Sequence, residues 1–324
     1  MTMIRAFHIL VAVVVGLIAV ALSRAPSLLG VDKSTETKSS SQSEPRVVPL
    51  RSNWTTYSRV VAPGRVFSIP DVHGDYEGLV QVLRKIGVIS QSGTDWTGGD
   101  AVLVQTGDIL DRGDDSADCL RLVAKLHQQA QREGGKVIMV MGNHELLNLM
   151  GYFHYGTPKE TEGFAPATRF DAFHQTIGEF GAFLRTLPAA CVVERANGTS
   201  DSAVLFVHGG LSTKFLRSGS KDPIKTLNKE LARYLQHEMK QLAKYYEEPL
   251  LSEHGPLWNR FFALGRNEGA VCSELQQTLE VAQAGKMVVG HTVQRTGSVG
   301  TRCGGRLVLG DVSKRESIGC YRRN

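Results

Sequence analysis

Short unbroken apolar runs alternate along this chain with longer stretches in which apolar residues recur every third or fourth position. Five of the short runs end alike, each on a residue able to bind a metal. Val66-Phe67-Ser68-Ile69 leads into Asp71-Val72-His73-Gly74, and the run 101–105 into Gly107-Asp108-Ile109-Leu110-Asp111-Arg112-Gly113. The run 136–141 leads into Gly142-Asn143-His144-Glu145, 203–207 into His208-Gly209-Gly210, and 287–289 into Gly290-His291-Thr292. Short β-branched runs bounded by glycine predict buried strands. In open α/β sheets the active site lies just past the carboxyl ends of the strands, so ligand-type residues scattered in sequence are expected to meet in one place.

The periodic stretches predict helices. Asp75 is a good N-cap for a helix with Leu79, Val82, Leu83 and Ile86 on one face and Gly87 as its stop. The stretch 115–132 repeats the device, with Ala117, Leu120, Val123, Ala124 and Ala130 on one side and Gly134-Gly135 beyond. A third helix is expected over 169–185, with Phe170, Phe173, Ile177, Phe180 and Leu184 forming a core-facing stripe. Asp222-Pro223 opens the longest stretch, through Ile224, Leu227, Leu231, Leu235, Met239, Leu242 and Tyr246. That helix either caps the site or packs on the domain's flank. The run 191–194 adds a strand, and Gly304-Gly305 joins two short runs as a β-hairpin. The pattern predicts an α/β fold of the α+β sandwich kind, with two mixed β-sheets packed together, helices on the flanks and the site at the strand ends.

The first 53 residues break this pattern. Residues 9–22 are unbroken apolar sequence between Arg5 and Arg24, and Ala21-Leu22-Ser23 offers small residues for a signal peptidase. Residues 1–23 therefore read as a signal peptide or an N-terminal membrane anchor. Residues 24–53 read as a Ser-rich linker too polar to order itself, and 54–324 as the catalytic domain. This organisation predicts the secretory pathway, with the domain lumenal, secreted or held at the membrane by its N-terminus. Asn53-Trp54-Thr55 and Asn197-Gly198-Thr199 match the N-glycosylation pattern. The five cysteines include no C-x-x-C pair, which argues against a zinc ribbon or a thioredoxin motif. Cys119 falls on a helix's apolar face, and Cys303 with Cys320 is the candidate pair in an oxidising lumen. The net charge of +5 is spread along the chain, with no basic stripe interleaved with aromatics, so no nucleic-acid partner is expected. Arg315, Arg322 and Arg323 read as a solvated tail.

Asp71, His73, Asp108, Asn143, His208 and His291 together offer three imidazoles, two carboxylates and one amide oxygen. Any one alone would be an ordinary helix cap or core hydrogen-bond partner. Six in register are too many for one ion, and the carboxylates can bridge, so two divalent metal ions about 3.5–4 Å apart are expected. A mixed nitrogen and oxygen set without thiolate suits Mn²⁺, Fe or Zn²⁺ better than Ca²⁺. Such a pair generates hydroxide at neutral pH for attack on phosphorus. Arg112 has the planar fork that matches phosphoryl oxygens. His144 is placed as the acid for the leaving group, with Asp111 to orient it.

In order and spacing the five motifs resemble those of the calcineurin-like metallophosphoesterases, and within them the phosphoprotein phosphatase group. The stretches Asn148-Leu149-Met150-Gly151-Tyr152, Tyr155-Gly156-Thr157-Pro158 and Gly255-Pro256-Leu257-Trp258-Asn259-Arg260 are similar to those of the Shewanella-like, bacterial-type protein phosphatases. The resemblance implies that Asp71, His73 and Asp108 hold one ion, with Asp108 bridging to a second held by Asn143, His208 and His291. It implies His144 with Asp111 as the acid pair, Arg112 as a phosphate clamp, and Arg260 as the candidate second clamp. The implied activity is a metal-dependent protein phosphatase that hydrolyses phospho-Ser/Thr or phospho-Tyr by in-line attack of a bridging hydroxide, with a phosphoprotein or phosphopeptide as partner. A symmetrical dinucleoside polyphosphate hydrolase of the same fold is the alternative. A catalytically silent membrane-tethered binding protein is a third reading, opposed by every expected position being filled. Two departures stand out. Pro70 replaces the glycine usual before the first Asp. The residues after Thr292 lack the loop of the eukaryotic serine/threonine phosphatases that toxins grip, so microcystin and okadaic acid are expected to inhibit weakly.

Overall fold

Three of the five ligand-tipped runs enter one sheet and two enter another. In chain order the strands are β1 (Arg59–Ala62), β2 (Val66–Ile69), β3 (Val102–Gln105), β4 (Lys136–Met139), β5 (Ala190–Arg195), β6 (Val204–Val207), β7 (Lys286–Val289), β8 (Gly300–Arg302), β9 (Leu307–Leu309) and β10 (Tyr321–Arg322). This computed structural model describes residues 56–312, apart from 166, 177, 217 and 218, together with the strand 321–322. The signal or anchor segment, the linker, the Asn53 site, Cys320 and the side chains of the C-terminal arginines lie outside the described residues. One sheet has the order β10-β2-β3-β4 and the other β1-β5-β6-β7-β9-β8. Strands β2, β3 and β4 run parallel, as do β6, β7 and β9. Antiparallel neighbours β10, β5 and β8 make both sheets mixed.

Both faces of these strands are buried, which is why the runs are continuous rather than alternating. Val102, Val104, Ile138, Val193, Val204, Phe206, Val288 and Val308 pack in a layer shared by the two sheets. Leu103, Val137, Leu205, Met287 and Leu307 belong to the larger core that includes the helices. The expected architecture, two mixed sheets flanked by helices, is the one observed.

The first two helices match their sequence signals. Helix α1 (Tyr76–Lys85) starts where Asp75 accepts the Gly78 N–H at 3.0 Å. Helix α2 (Ser116–Arg132) buries Ala117, Leu120, Val123, Ala124 and Ala130. Helix α3 (Asn143–Leu149) leaves the end of β4 directly, and α4 (Pro158–Glu162) follows.

The expected helix over 169–185 is replaced by two single turns, α5 (Arg169–Ala172) and α6 (Gly181–Leu184). Between them the chain doubles back, with the Phe180 N–H on the Ala172 carbonyl at 2.9 Å. A Cβ at Gly178 or Gly181 would overlap the backbone carbonyls of Asp171 or His174, so only glycine permits the fold-back. Phe173 and Phe180 still reach the core, with ring centroids 5.4 and 5.8 Å from Phe164. Phe170 points to solvent.

The stretch from Asp222 also breaks. Helix α7 (Pro223–Leu235) ends early, and Glu238 in extended conformation starts a separate turn, α8 (Met239–Leu242), whose Met239 and Leu242 are buried. Asn228 of α7 bonds both backbone groups of Ala190 in β5, at 3.2 and 2.8 Å, which places α7 on the flank of the six-stranded sheet rather than over the site. After α9 (Phe261–Leu264) and α10 (Glu268–Ala282) comes the expected hairpin of β8 and β9, turned by Gly304 and Gly305 at positive φ.

One pairing differs from expectation. Cys303 is bonded to Cys272 of α10, not to Cys320. The cause lies next door, where Arg302 reaches Glu268 in the first turn of α10 and the carbonyls of Phe262 and Gly265, drawing the hairpin onto that helix. Cys119 is buried in the core, as expected. Among the described residues no helix is long and apolar enough to cross a membrane.

Candidate active site

The side chains at the strand ends are aimed by backbone that residues other than glycine seldom adopt. His73, Asp108, Asp111, Arg112 and His291 all have positive φ, between 49° and 71°. Such strain persists only where the surroundings over-determine it. Here the carbonyl of Asp108 accepts the N–H groups of Val72 and His73, at 2.9 and 3.0 Å. Buried Glu145 does more. One of its oxygens accepts from Asp108 N at 2.7 Å and Gly142 N at 3.0 Å, and the other from Ile109 N at 2.9 Å and Leu110 N at 3.3 Å. A single carboxylate thus ties the second motif to the third. Burial and the nearby Asp108 charge push its pKa up to about 7. Two glycines permit close approach, since a Cβ on Gly290 would overlap the Asp71 carboxylate and one on Gly142 the backbone and carboxylate of Asp108.

All six expected ligands converge. Asp108 Oδ2 lies 3.2 Å from His208 Nε2 and 3.7 Å from His73 Nε2. Asp71 Oδ2 is 4.0 Å from His73 Nε2, and both Asp71 oxygens lie 3.1 Å from the His291 N–H. Asn143 Oδ1 is 2.9 Å from His208 Nε2, and the His208 and His291 rings stand 5.0 Å apart.

This cluster fits cations. The Nδ1 atoms of His73 and His208 lie 2.8 Å from the carbonyls of Leu110 and Thr106, and the His291 ring bonds the Trp258 backbone. A carbonyl only accepts, so each Nδ1 carries a proton; Nε2 of His73 and of His291 can present a lone pair to the cluster, and Nε2 of His208 can do so once a cation replaces its proton, the usual arrangement behind a metal-bound histidine. Nε2 of His291 is buried with no hydrogen-bond partner. Two sets, His73-Asp108-His144 and Asp108-His208-His291, hold their ligand atoms within 4.8 Å of one another and share Asp108.

The electrostatics agree. Burial, then the charges of Asp311 and Asp108, push Asp71 well above the usual carboxylate range. Burial works against the Asp108 charge too, but His208 and His144 hold it well below. Burial opposes a charged His208, yet Asp108 and Asp71 outweigh it and raise its pKa to about 10. Burial lowers His73 to about 4 and, helped by His208, lowers His291 to about 2. Buried carboxylates that hold positive charge on His208, beside the neutral imidazoles of His73 and His291, make a site where divalent ions can take the place of that proton.

The other predicted residues lie beside this cluster. His144 Nδ1 lies 2.6 Å from Asp111 Oδ2, and Arg112 Nη2 lies 3.1 Å from His144 Nε2. Asn148 donates to Asp111 Oδ2 at 3.1 Å and to the His144 carbonyl at 2.8 Å. Arg260 donates through Nη1 to the His291 carbonyl at 2.9 Å and to Thr292 Oγ1 at 3.2 Å. Pro70 leaves the Asp71 carboxylate in reach of His291 and His73.

Residues 64–295 match the family of calcineurin-like phosphoesterases. This chain belongs to that family. It is 32% identical over 264 residues to Shewanella-like protein phosphatase 1 of Plasmodium berghei, covering 80% of this chain and 70% of that one. It is 28% identical over 310 residues to Shewanella-like protein phosphatase 2 of Arabidopsis thaliana, covering 84% and 76%. Among solved structures it is similar to the cold-active protein-tyrosine phosphatase of a psychrophilic Shewanella species, with a TM-score of 0.62 and 26% identity over 78% of this chain and 72% of that one. The chain is thus a phosphatase, a hydrolase of phosphoric monoesters, and the family's dimetal centre has its counterpart in the cluster above.

Two residues of this phosphoesterase escaped the reading of the sequence. Asp311 follows β9 and Gly310, is buried, and is among the charges that raise Asp71. Its own pKa rises to about 6 through burial and Asp108, against the pull of His208, Arg112 and Arg260. The signal was present, since Leu307-Val308-Leu309 ends on Gly310-Asp311 just as the other runs end on their ligands. Glu145 was part of a recognised motif, but its four backbone partners lie in two loops that only the fold brings together.

Proposed function

We propose that this phosphoesterase is a protein phosphatase selective for phosphotyrosine. The observation that carries this reading is a set of aromatic rings around the catalytic cluster. The Tyr155 ring lies 5.0 Å from that of His144, and Trp258 packs edge-on between His291, at 5.8 Å, and Tyr246, at 6.1 Å. Tyr152 and Tyr155 are 42% and 44% exposed, and both lie within electrostatic reach of Tyr246. An aryl phosphate can stack on such rings, where aromatic pairs contribute about 0.5–1.5 kcal/mol beyond burial. The side chain of phosphoserine has no ring to place there. The protein-tyrosine phosphatase activity named for the Shewanella relative supports the same reading.

In this reading Asp71, His73 and Asp108 would hold one divalent ion, and Asp108, Asn143, His208 and His291 the other, with Mn²⁺ favoured and Fe or Zn²⁺ suited to the same donors. When bound, the ions supply Lewis-acid activation of water and of the ester phosphate. Arg112 grips two phosphoryl oxygens with its fork. Arg260, anchored by Nη1 on the His291 carbonyl, offers its remaining nitrogens to a third. His144 delivers a proton from Nε2 to the departing tyrosyl oxygen while Asp111 fixes the ring through Nδ1.

The test compares kcat/KM for phosphotyrosine and phosphoserine in one peptide sequence, with Mn²⁺ present and diadenosine tetraphosphate as a third substrate. A preference of about two- to tenfold for phosphotyrosine, narrowed by Tyr155→Ala, is expected from the stacking energy. Equal rates on the two peptides, or preference for the nucleotide, would overturn the reading.

We also infer that the N-terminal 23 residues direct the enzyme into the secretory pathway, where it stays lumenal, is secreted or is held at the membrane. The half-exposed Cys272–Cys303 disulfide supports this, because such bonds persist in oxidising compartments. Asn197 lies in an exposed turn, open to glycosylation. Expression in secretory-competent cells followed by glycosidase treatment reads it out, and an Asn197→Gln variant with unchanged mobility would argue against lumenal passage.

A further inference from the structure

Asp111 is held from more sides than its contact with His144 needs. Its Oδ1 accepts from Arg169 Nη2, and its Oδ2 from His144 Nδ1 at 2.6 Å and Asn148 Nδ2 at 3.1 Å. Its backbone N–H is shared by Glu160 Oε1 at 2.9 Å and Ser116 Oγ at 3.1 Å. Arg169 closes the ring, giving Nη1 to Glu160 Oε2 at 2.8 Å and both Nε and Nη2 to Asn148 Oδ1, at 3.0 and 2.8 Å. Asp111, His144, Asn148, Glu160 and Arg169 are each 4% exposed or less. The guanidinium also lies over the rings of Phe153 and Phe164, at 5.5 and 5.2 Å. A Cβ at Gly156 would overlap both Arg169 and Glu160, so the chain is threaded tightly over the network.

Stability alone does not explain this cluster. Ions out of water carry a desolvation cost, and apolar residues of similar volume often serve a core as well or better. The network encloses one residue of the site, Asp111, which has a left-handed backbone and a carboxylate that orients His144. Glu160 fixes that backbone and Arg169 fixes the carboxylate oxygen that His144 does not use.

We propose that Arg169, braced by Glu160, is a positioning residue for the proton-donating pair: it locks the Asp111 carboxylate so that His144 Nε2 points at the leaving oxygen. In that step the P–O bond to the leaving group breaks and its electron pair takes the Nε2 proton, while the oxygen of water joins phosphorus, one of its protons staying on the phosphate and the other restoring Nε2 by the end of the turnover. The inference rests on the reading of His144 as the acid given above.

Leaving-group dependence separates positioning from mere structural support. The full chain with saturating Mn²⁺ is assayed on aryl phosphates from phenyl phosphate, which needs a proton to leave, to 2,4-dinitrophenyl phosphate, which does not. His144→Ala is expected to lose about 10²–10⁴-fold on phenyl phosphate, the usual worth of a general acid, and little on the dinitrophenyl ester. Arg169→Met is expected to share that dependence at about 10–100-fold, the range typical of residues that orient a site from behind, with KM within about twofold. Arg169→Lys keeps the charge but not the fork and should fall between Arg169→Met and wild type. A variant that is merely less folded loses the same factor on every substrate. Glu160→Gln, which keeps one acceptor, is the milder second variant should Arg169→Met not fold. A uniform loss across the series in the folded variants, beside a leaving-group-dependent His144→Ala, would overturn the inference. A uniform loss in His144→Ala itself would overturn the acid reading instead.

Discussion

Arg112 Nη2 lies 3.1 Å from Nε2 of His144, the ring nitrogen facing away from Asp111. A guanidinium only donates, so Nε2 accepts, and Nδ1 carries the proton shared with Asp111. Arg112 therefore rests on the very nitrogen that must protonate the leaving group. A phosphate monoester offers this arginine a bidentate, charge-assisted partner. Phosphate binding draws Arg112 off His144 Nε2 and opens that nitrogen to the proton it then delivers to the leaving group.

Removal of Arg112 should accordingly damage both binding and turnover. Arg112→Ala is expected to lower kcat/KM by about 10²–10³-fold, the scale for losing a donor aimed at developing charge. It should also weaken product inhibition by inorganic phosphate. Arg112→Lys should recover only part, because an ammonium lacks the fork. Unchanged phosphate inhibition in Arg112→Ala would show that the arginine does not hold phosphate.

Asp108 belongs to both ligand sets, while His144 sits in one of them geometrically and is bonded to Asp111. Metal content distinguishes a ligand from an acid. Asp108→Asn is expected to retain fewer than two metal equivalents after dialysis and to lose more activity than the about 10–100-fold typical of an outer-shell change. His144→Ala should keep both equivalents while losing activity. Elemental analysis of the two variants beside wild type decides the matter, and metal loss in His144→Ala would move that residue among the ligands.

Asp311 gives a pH signature. Its pKa in the fold is about 6, above its ordinary 3.8. The unfolded chain therefore releases this proton first, and the residue's contribution to stability, full below 3.8, is lost as pH rises through 6. At about 1.4 kcal/mol per pH unit the whole loss is on the order of 3 kcal/mol. Asn cannot titrate, so in EDTA the stability of Asp311→Asn relative to wild type should improve as pH rises from 4 to 7. Denaturant unfolding across that range measures it. A difference independent of pH would mean that Asp311 is not held in this environment.

The ligand candidates were legible in the sequence because parallel strands buried on both faces leave continuous apolar runs, and because each candidate follows its run within a few residues, beside a glycine. Asp311 obeys the same rule, yet β9 is only three residues long and reads as one arm of a hairpin. The 169–185 stripe failed for another reason. Phe173 and Phe180 recur at near-helical spacing, but they meet Phe164 across a glycine-permitted fold-back, and apolar spacing records burial without recording the path. Arg169 lies 58 residues from Asp111, so its part in the site depends on packing alone. The pairing of Cys303 was equally hidden, because cysteine spacing does not specify connectivity.

That pairing yields the last prediction. Cys272 and Cys303 are separated by 31 residues, a stretch that spans most of α10, all of β7 and all of β8, the first strand of the hairpin leading to Asp311. Closing a loop of this length is worth about 3–4 kcal/mol in the chain-entropy account. For a domain of this size that corresponds to roughly 10 °C in Tm, at 2–4 °C per kcal/mol. Reductant should therefore lower the melting temperature of wild type, and Cys303→Ser should melt at the lowered temperature with or without it. Peptide mapping under non-reducing conditions should recover the Cys272 and Cys303 peptides joined. A Cys303 peptide joined to Cys320 would remove this staple from α10 and leave the hairpin held there by Arg302 and Glu268 alone.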